Sequence, residues 1–335
     1  MRAAPDDLDE SDLVSSLFHG WGLNVVGVEY AAVGGGSYHW LVDDDAGKRH
    51  WVTVDDLDQK GYLDKTRDSA FDGLRRAFDT ALALRAGGLE FVVAPVPTSR
   101  GETVRRLGAR HAVAVFPLVE GSSYRFGERL PPAEGVELVD VLVRLHRATP
   151  SVASIARPAN LQLSERGGLE QALRKLDREW AGGPFSEPAR ALVAGHAEGI
   201  RRLLETFDRL ADQVVAARAQ PVVTHGEPHP GNILRADGRL LLVDWDTVAL
   251  ARPERDLWML DGGAGDELAR YAAASGLQVD DAAIRLYRLR WQLDDIAVFV
   301  ERLRSAHRRT ADTEHAWLGL SRTLESEADR RSARG

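Results

Sequence analysis

Apolar residues come in short alternating runs over the first third of this chain and recur at helical spacing over most of the rest. Leu8 to Trp21 puts Leu13, Leu17 and Phe18 on one face and predicts a short helix, with Ser11 as its cap. Val25 to Val33, Tyr38 to Val42 and His50 to Val54 read as three strands. They are separated by Gly34-Gly35-Gly36-Ser37 and by the polar turn Asp43 to Lys48. Thr66 to Ala86 repeats apolar side chains at Phe71, Leu74, Phe78, Leu82 and Leu84, which predicts a helix. Past Gly87-Gly88, Phe91 to Val96 and Thr103 to Leu107 read as two more strand pieces. His111 to Val119 is a strong apolar run that stops at Glu120-Gly121.

From Pro131 the period becomes helical. Helices are predicted at Glu134 to Arg147, Gly167 to Trp180 and Glu187 to Val215, and later at Asp266 to Ser275, Asp281 to Arg304 and Thr313 to Asp329. His146 lies on the apolar side of the first of these and is expected to be a buried or capping histidine. One stretch breaks the helical run. Val222 to Asp246 (VVTHGEPHPGNILRADGRLLLVDWD) begins with a short strand and passes into a loop broken by Pro228 and Pro230. It continues as a strand from Asn232 to Arg235, a turn at Ala236 to Gly238 and a run from Leu240 to Val243 that delivers Asp244. Proline forces extended geometry on the residue before it and is excluded from helix interiors. His225, Glu227, His229, Asn232 and Asp244 are therefore presented from loops and strand ends, where functional groups are commonly placed.

The composition narrows the chemistry. The 335 residues suffice for one large or two small cores. A net charge of −8 and a pI near 5.7 disfavour a nucleic-acid binder and suit a cationic small-molecule partner. Without cysteine there is neither disulfide nor thiolate chemistry. The acidic N-terminus lacks an apolar segment of the signal-peptide kind, and no apolar run reaches the ~18 residues of a spanning helix. A cytoplasmic protein with no membrane partner is expected.

Three chemistries compete for the central stretch. A zinc site of the metalloprotease type needs two histidines one helical turn apart, which Pro228 forbids, and the deaminase type needs cysteines. A solvated hairpin with incidental histidines leaves the cluster unexplained. A phosphotransfer loop fits: an acid takes the substrate hydroxyl's proton, an Asn follows it by five positions, and an Asp at the end of the next strand holds the phosphate-bridging metal.

HGEPHPGN, followed by a strand ending in Asp244-Trp245, resembles the loop H-G-D-x-H-x-x-N and the Asp-Trp of the aminoglycoside phosphotransferase family, with Glu227 standing where that family usually has Asp. The resemblance implies an α+β, two-lobed, protein-kinase-like fold, with an antiparallel-sheet N-lobe over 1–119 and a mainly helical C-lobe over 120–335. It implies transfer of the γ-phosphoryl of ATP or GTP, with Mg²⁺, to a hydroxyl of an aminoglycoside-like or aminocyclitol-like acceptor. Glu227 and His225 would be the catalytic pair, His225 mainly fixing the loop, and Asn232 and Asp244 would hold the metal. Gly34, Gly35, Gly36 and Ser37 would cover the phosphates, Phe116, Pro117, Leu118 and Val119 would form the hinge at the adenine, and Asp256 would brace the loop. Asp294 and Asp295 would meet a cationic substrate.

Thr53 falls where the family has a phosphate-binding lysine, and the helix from Thr66 has no Glu to pair with one. Lys60, Lys65, an arginine or greater reliance on Mg²⁺ are the alternatives. A nucleotide-binding pseudokinase, a kinase of a choline-like alcohol or a sugar, and a purely structural protein are the rival functions.

Overall fold

The computed structural model describes residues 1–260 and 266–332, with side chains through 325. The chain packs as two compact units, Met1–Asn160 with Ala219–Asp280, and Leu161–Arg218 with the chain from Asp281 onward.

The first unit begins with helix α1 (Glu10–Trp21) and strands β1 (Val25–Tyr30), β2 (Tyr38–Asp44) and β3 (Arg49–Asp56). Helix α2 (Arg67–Ala86) follows, then β4 (Arg105–Leu107) and β5 (His111–Pro117). The strands form an antiparallel sheet in the order β1-β2-β3-β5-β4. Successive side chains of a strand face opposite ways, and β5 shows why it is apolar throughout. Val113 and Val115 pack with Trp40, Val52, Leu13 and Leu17 on one face. Ala112, Ala114 and Phe116 pack with Leu74 and Phe78 of α2 on the other.

Two local expectations are corrected. The cap of α1 is Asp9, whose carboxylate accepts the Ser11 N–H at 2.8 Å, so Ser11 is a donor inside the first turn. Phe91 to Val96 is no strand but a buried segment bound to Leu242 through one parallel bridge, because Pro95 and Pro97 remove two of the donors a ladder needs.

Beyond helix α3 (Pro132–Arg147), the Val222 to Asp246 stretch builds strands β7 (Val222–Thr224), β8 (Ile233–Ala236) and β9 (Arg239–Leu242). A short β6 (Ser122–Ser123) joins the β8–β9 hairpin. The hairpin turns at Asp237 and Gly238, whose φ values of 49° and 72° are the left-handed pair of a tight two-residue turn. A further strand absent from the sequence reading, β10 (Ala249–Ala251), pairs with β7.

The second unit is helical: Arg166–Arg174, Ser186–Ala216, Asp281–Arg304 and Ala311–Ser332 pack around Val193, Ile200, Phe207, Leu293, Ile296 and Leu320. Its first helix stops at Arg174, short of the predicted Trp180. The chain turns there to bury Trp180 in the core. Among the described residues no helix is long and apolar enough to cross a membrane.

Candidate active site

β7 is wholly buried and ends at Thr224, and the chain leaves the sheet at His225. The first loop peptides are held from below: Asp256 accepts the His225 N–H at 2.9 Å and the Gly226 N–H at 2.7 Å. Asp256 is itself buried and also meets His146 Nε2 at 3.0 Å, while His146 Nδ1 meets the Tyr271 hydroxyl at 2.6 Å. Burial alone would raise the Asp256 pKa, but His146, Arg255 and His225 together outweigh it and the carboxyl is held below its usual range. Gly226 sits at φ 103° directly over the Arg255 guanidinium, so a β carbon there would lie 2.3 Å from Nη2. His146 is buried, as its place on the apolar side of its helix predicts.

Both ring nitrogens of His225 are engaged by backbone. Nε2 lies 2.9 Å from the Val243 carbonyl and Nδ1 takes the Glu227 N–H at 3.3 Å. Burial lowers its pKa, so the ring is neutral and ties the loop to the strand that delivers Asp244. Asn232 ends a 3₁₀ turn begun by Pro230. Its Nδ2 donates to the Glu227 carbonyl at 3.0 Å, and its backbone carbonyl accepts the Val243 N–H at 3.0 Å. Glu227, Asn232 and Asp244 are thereby cross-tied. Asp244 adopts φ 65°, a left-handed conformation that a non-glycine residue holds only when its surroundings impose it.

A cleft of about 360 Å³ opens beside these residues. At one end lie Trp51, Val93 and Leu234 with the expected hinge residues Phe116, Pro117, Leu118 and Val119. At the other lie Ser37, Thr53, Asp55, Asn232, Asp244 and Asp246. Of the glycine turn, Gly34 (φ 70°) and Ser37 line the cleft, whereas Gly35 and Gly36 do not. Glu227 is not among its lining residues but acts on Asp244 through charge. Burial, then Asp246, then Glu227 push the Asp244 carboxyl well above its usual range.

Of the alternatives left open for the missing lysine, Lys65 is exposed and Lys60 lies inside the site. Lys60 is fully buried, with Nζ 2.7 Å from Asp55 Oδ1, 2.8 Å from Asp246 Oδ2 and 3.1 Å from Ser37 Oγ. Tyr62 donates its hydroxyl to Asp246 as well. Burial would lower the Lys60 pKa, but Asp246 and Asp55 outweigh it and hold the ammonium charged. Asp55 had a visible signal in the strand period, because it shares the cleft face of β3 with Trp51 and Thr53. Asp246 had one too, as the second acid of VDWD.

Asp294 and Asp295 lie in the second unit. Asp294 accepts the Ser164 N–H at 3.2 Å and pairs with Arg290 at 3.3 Å, and burial raises its pKa. Burial, reinforced by Asp294, pushes the Asp295 carboxyl up to about 7.

The donor set suits magnesium. With its Nδ2 engaged, Asn232 keeps Oδ1 as an acceptor, and Asp244 supplies a carboxylate on the same cleft. Among the described residues no three or more His, Asp or Glu side chains converge as a complete metal cage. Mg²⁺ ordinarily takes one or two protein ligands and completes its shell with phosphates and water.

Residues 33–287 match the model of the phosphotransferase enzyme family. Protein StrN of Streptomyces griseus is 29% identical over 268 residues, covering 77% of this chain and 78% of its own. The structure of spectinomycin phosphotransferase APH(9)-Ia in complex with ADP and spectinomycin superposes with a TM-score of 0.72 at 18% identity, over 96% of this chain and 98% of that one. A microcompartment-associated aminopropanol kinase superposes with a TM-score of 0.62 at 15% identity, over 97% and 98%. The fold is that of the kinase-like phosphotransferases, with the antiparallel sheet in the N-terminal region and helices toward the C-terminus. The chain belongs to the phosphotransferase enzyme family and is a phosphotransferase.

Proposed function

We propose that this enzyme transfers the γ-phosphoryl group of ATP or GTP to a hydroxyl of a small aminoglycoside-like or aminocyclitol-like acceptor, in the cytoplasm, where the nucleotide is supplied. The observation that carries this reading is the polarity of the cleft. Its apolar end is built of hinge residues fit for a purine, and its acidic end unites Asn232, Asp244 and Asp246 under a glycine turn. The two-lobe division at residues 1–119 and 120–335 is part of the same proposal.

Asn232 and Asp244 would hold Mg²⁺, which when bound neutralises charge on the phosphates. Glu227 would accept the hydrogen bond of the acceptor hydroxyl and take its proton as the oxygen attacks. His225, held by backbone at both nitrogens, fixes the loop and moves no proton. Gly34 to Ser37 would cover the phosphates, and Asp294 and Asp295 would meet the acceptor's ammonium groups. An acceptor that is both hydroxylated and cationic suits the chain's negative charge, and neighbours described as spectinomycin and aminopropanol kinases support it.

The test is ADP release with MgATP and MgGTP against a panel of aminocyclitols, aminoglycosides and amino alcohols. Turnover on at least one acceptor, abolished by Asp244→Asn, is the expected result. Nucleotide binding without turnover on any acceptor would make the protein a pseudokinase.

A further inference from the structure

We infer that Lys60, carried on the turn after β3, is the side chain that meets the nucleotide's phosphates, and that Asp55 on β3 is its fixed counter-ion. The polarity is inverted, with the acid on the strand and the base off it. This inference rests on the nucleotide reading of the cleft.

Position argues first. Each of the three groups within reach of the Lys60 ammonium (Asp55, Asp246 and Ser37) lines the acidic end of the cleft. A β carbon built on Gly36 would lie 4.0 Å from Nζ, so the ammonium sits under the glycine turn itself. Charge argues next. No lysine or arginine is among the residues that line the cleft, whereas Asp55, Asp244 and Asp246 are. The other lysines, Lys48, Lys65 and Lys175, are exposed. A polyphosphate entering this end meets three carboxyl groups, and the buried Lys60 is the cation directly behind two of them.

Energetics argue last. Taking an ammonium out of water costs several kcal/mol unless close acids offset it, and apolar residues often fill such a place at least as well. A lysine buried against cleft-lining acids therefore points to a ligand rather than to stability. The exchange on binding is small. The contact to Ser37 Oγ, at 3.1 Å, is the longest of the three, and Ser37 keeps its own 2.6 Å bond to Asp55 Oδ1. Lys60 would trade Ser37 for a phosphate oxygen while Asp55 and Asp246 hold it in place.

Calorimetric titration of adenosine and of a non-hydrolysable ATP analogue with Mg²⁺, on the wild type and Lys60→Met, separates the possibilities. A lost hydrogen bond to a charged group should weaken the analogue roughly tenfold to a hundredfold and leave adenosine within about twofold. Because Lys60→Met strands both Asp55 and Asp246, the triple variant Lys60→Met with Asp55→Leu and Asp246→Asn removes the stranded acids with the lysine and should show the same selective loss. Equal losses for the two ligands, or an unchanged ratio, would overturn the assignment while leaving the kinase reading intact. A wild type that binds neither ligand would sink both.

Discussion

Asp244 and Asp246, separated by one tryptophan, are driven in opposite directions. Lys60 overcomes the effect of burial on Asp246 and holds its carboxyl below the usual range, whereas burial, Asp246 itself and Glu227 push Asp244 well above it. The site thus disfavours ionisation at one residue, and that residue is also held in a left-handed conformation. Asn tolerates that conformation and removes the charge. Asp244→Asn is expected to raise the melting temperature of the ligand-free protein by a few degrees and to erase any stabilisation by Mg²⁺ with nucleotide, as thermal unfolding with and without MgADP would show. A lower melting temperature without ligand would mean that the repulsion is not felt.

Glu227 is one methylene longer than the family's usual aspartate, and its placement is set by Asn232 and His225 through its own backbone. Glu227→Gln should lower kcat by roughly 10² to 10⁴, the range for a lost general base, with nucleotide affinity little changed. Glu227→Asp should retain part of the activity. Steady-state kinetics on the best acceptor, beside nucleotide titrations, checks both, and an active Glu227→Gln would remove this residue from the chemistry.

Asp256 serves two loop N–H groups and His146 from a fully buried position. Asp256→Ala leaves those partners unsatisfied and should cost about 3–5 kcal/mol of stability, as for other buried partners removed singly. Urea unfolding measures it. A loss under ~1 kcal/mol would show that the loop is supported elsewhere.

Gly226→Ala places a methyl on the Arg255 guanidinium in a backbone conformation that alanine avoids. The expected outcome is a large fall in kcat with the β3–β5 sheet intact by hydrogen exchange, since the damage begins in the loop. Wild-type turnover would show that Arg255 yields freely.

Asp295 supplies a pH signature. Its folded pKa of about 7 stands above the ordinary 3.8, so between these values the folded state keeps a proton that the unfolded chain has released. Stability from this group is full below about pH 4 and is lost as pH rises through 7. Asp295→Asn should therefore gain over wild type at pH 8 and much less at pH 5 in urea midpoints. Equal gains at both would place the pKa near its ordinary value.

The loop from His225 was legible as a loop because Pro228 and Pro230 exclude a helix, and it lies between β7 and β8 as that predicts. The two-sided burial of β5 was legible as a continuous apolar run. Lys60 was legible only as one alternative beside Lys65, because strand register places β3 side chains but says nothing of which turn residue folds back beneath them. β10 escaped because three residues of Ala-Leu-Ala carry no period, and their strand geometry comes from pairing with β7. Phe91 to Val96 misled because an apolar run reports burial, and only its prolines report the missing ladder.

The β7–β10 pairing has an evolutionary consequence. Thr224 faces Ala249 across that ladder, so everything from His225 to Val248 hangs from a closed stem. Substitutions that spare this stem leave the entry and exit of the segment fixed together, so the segment is inherited as a cassette.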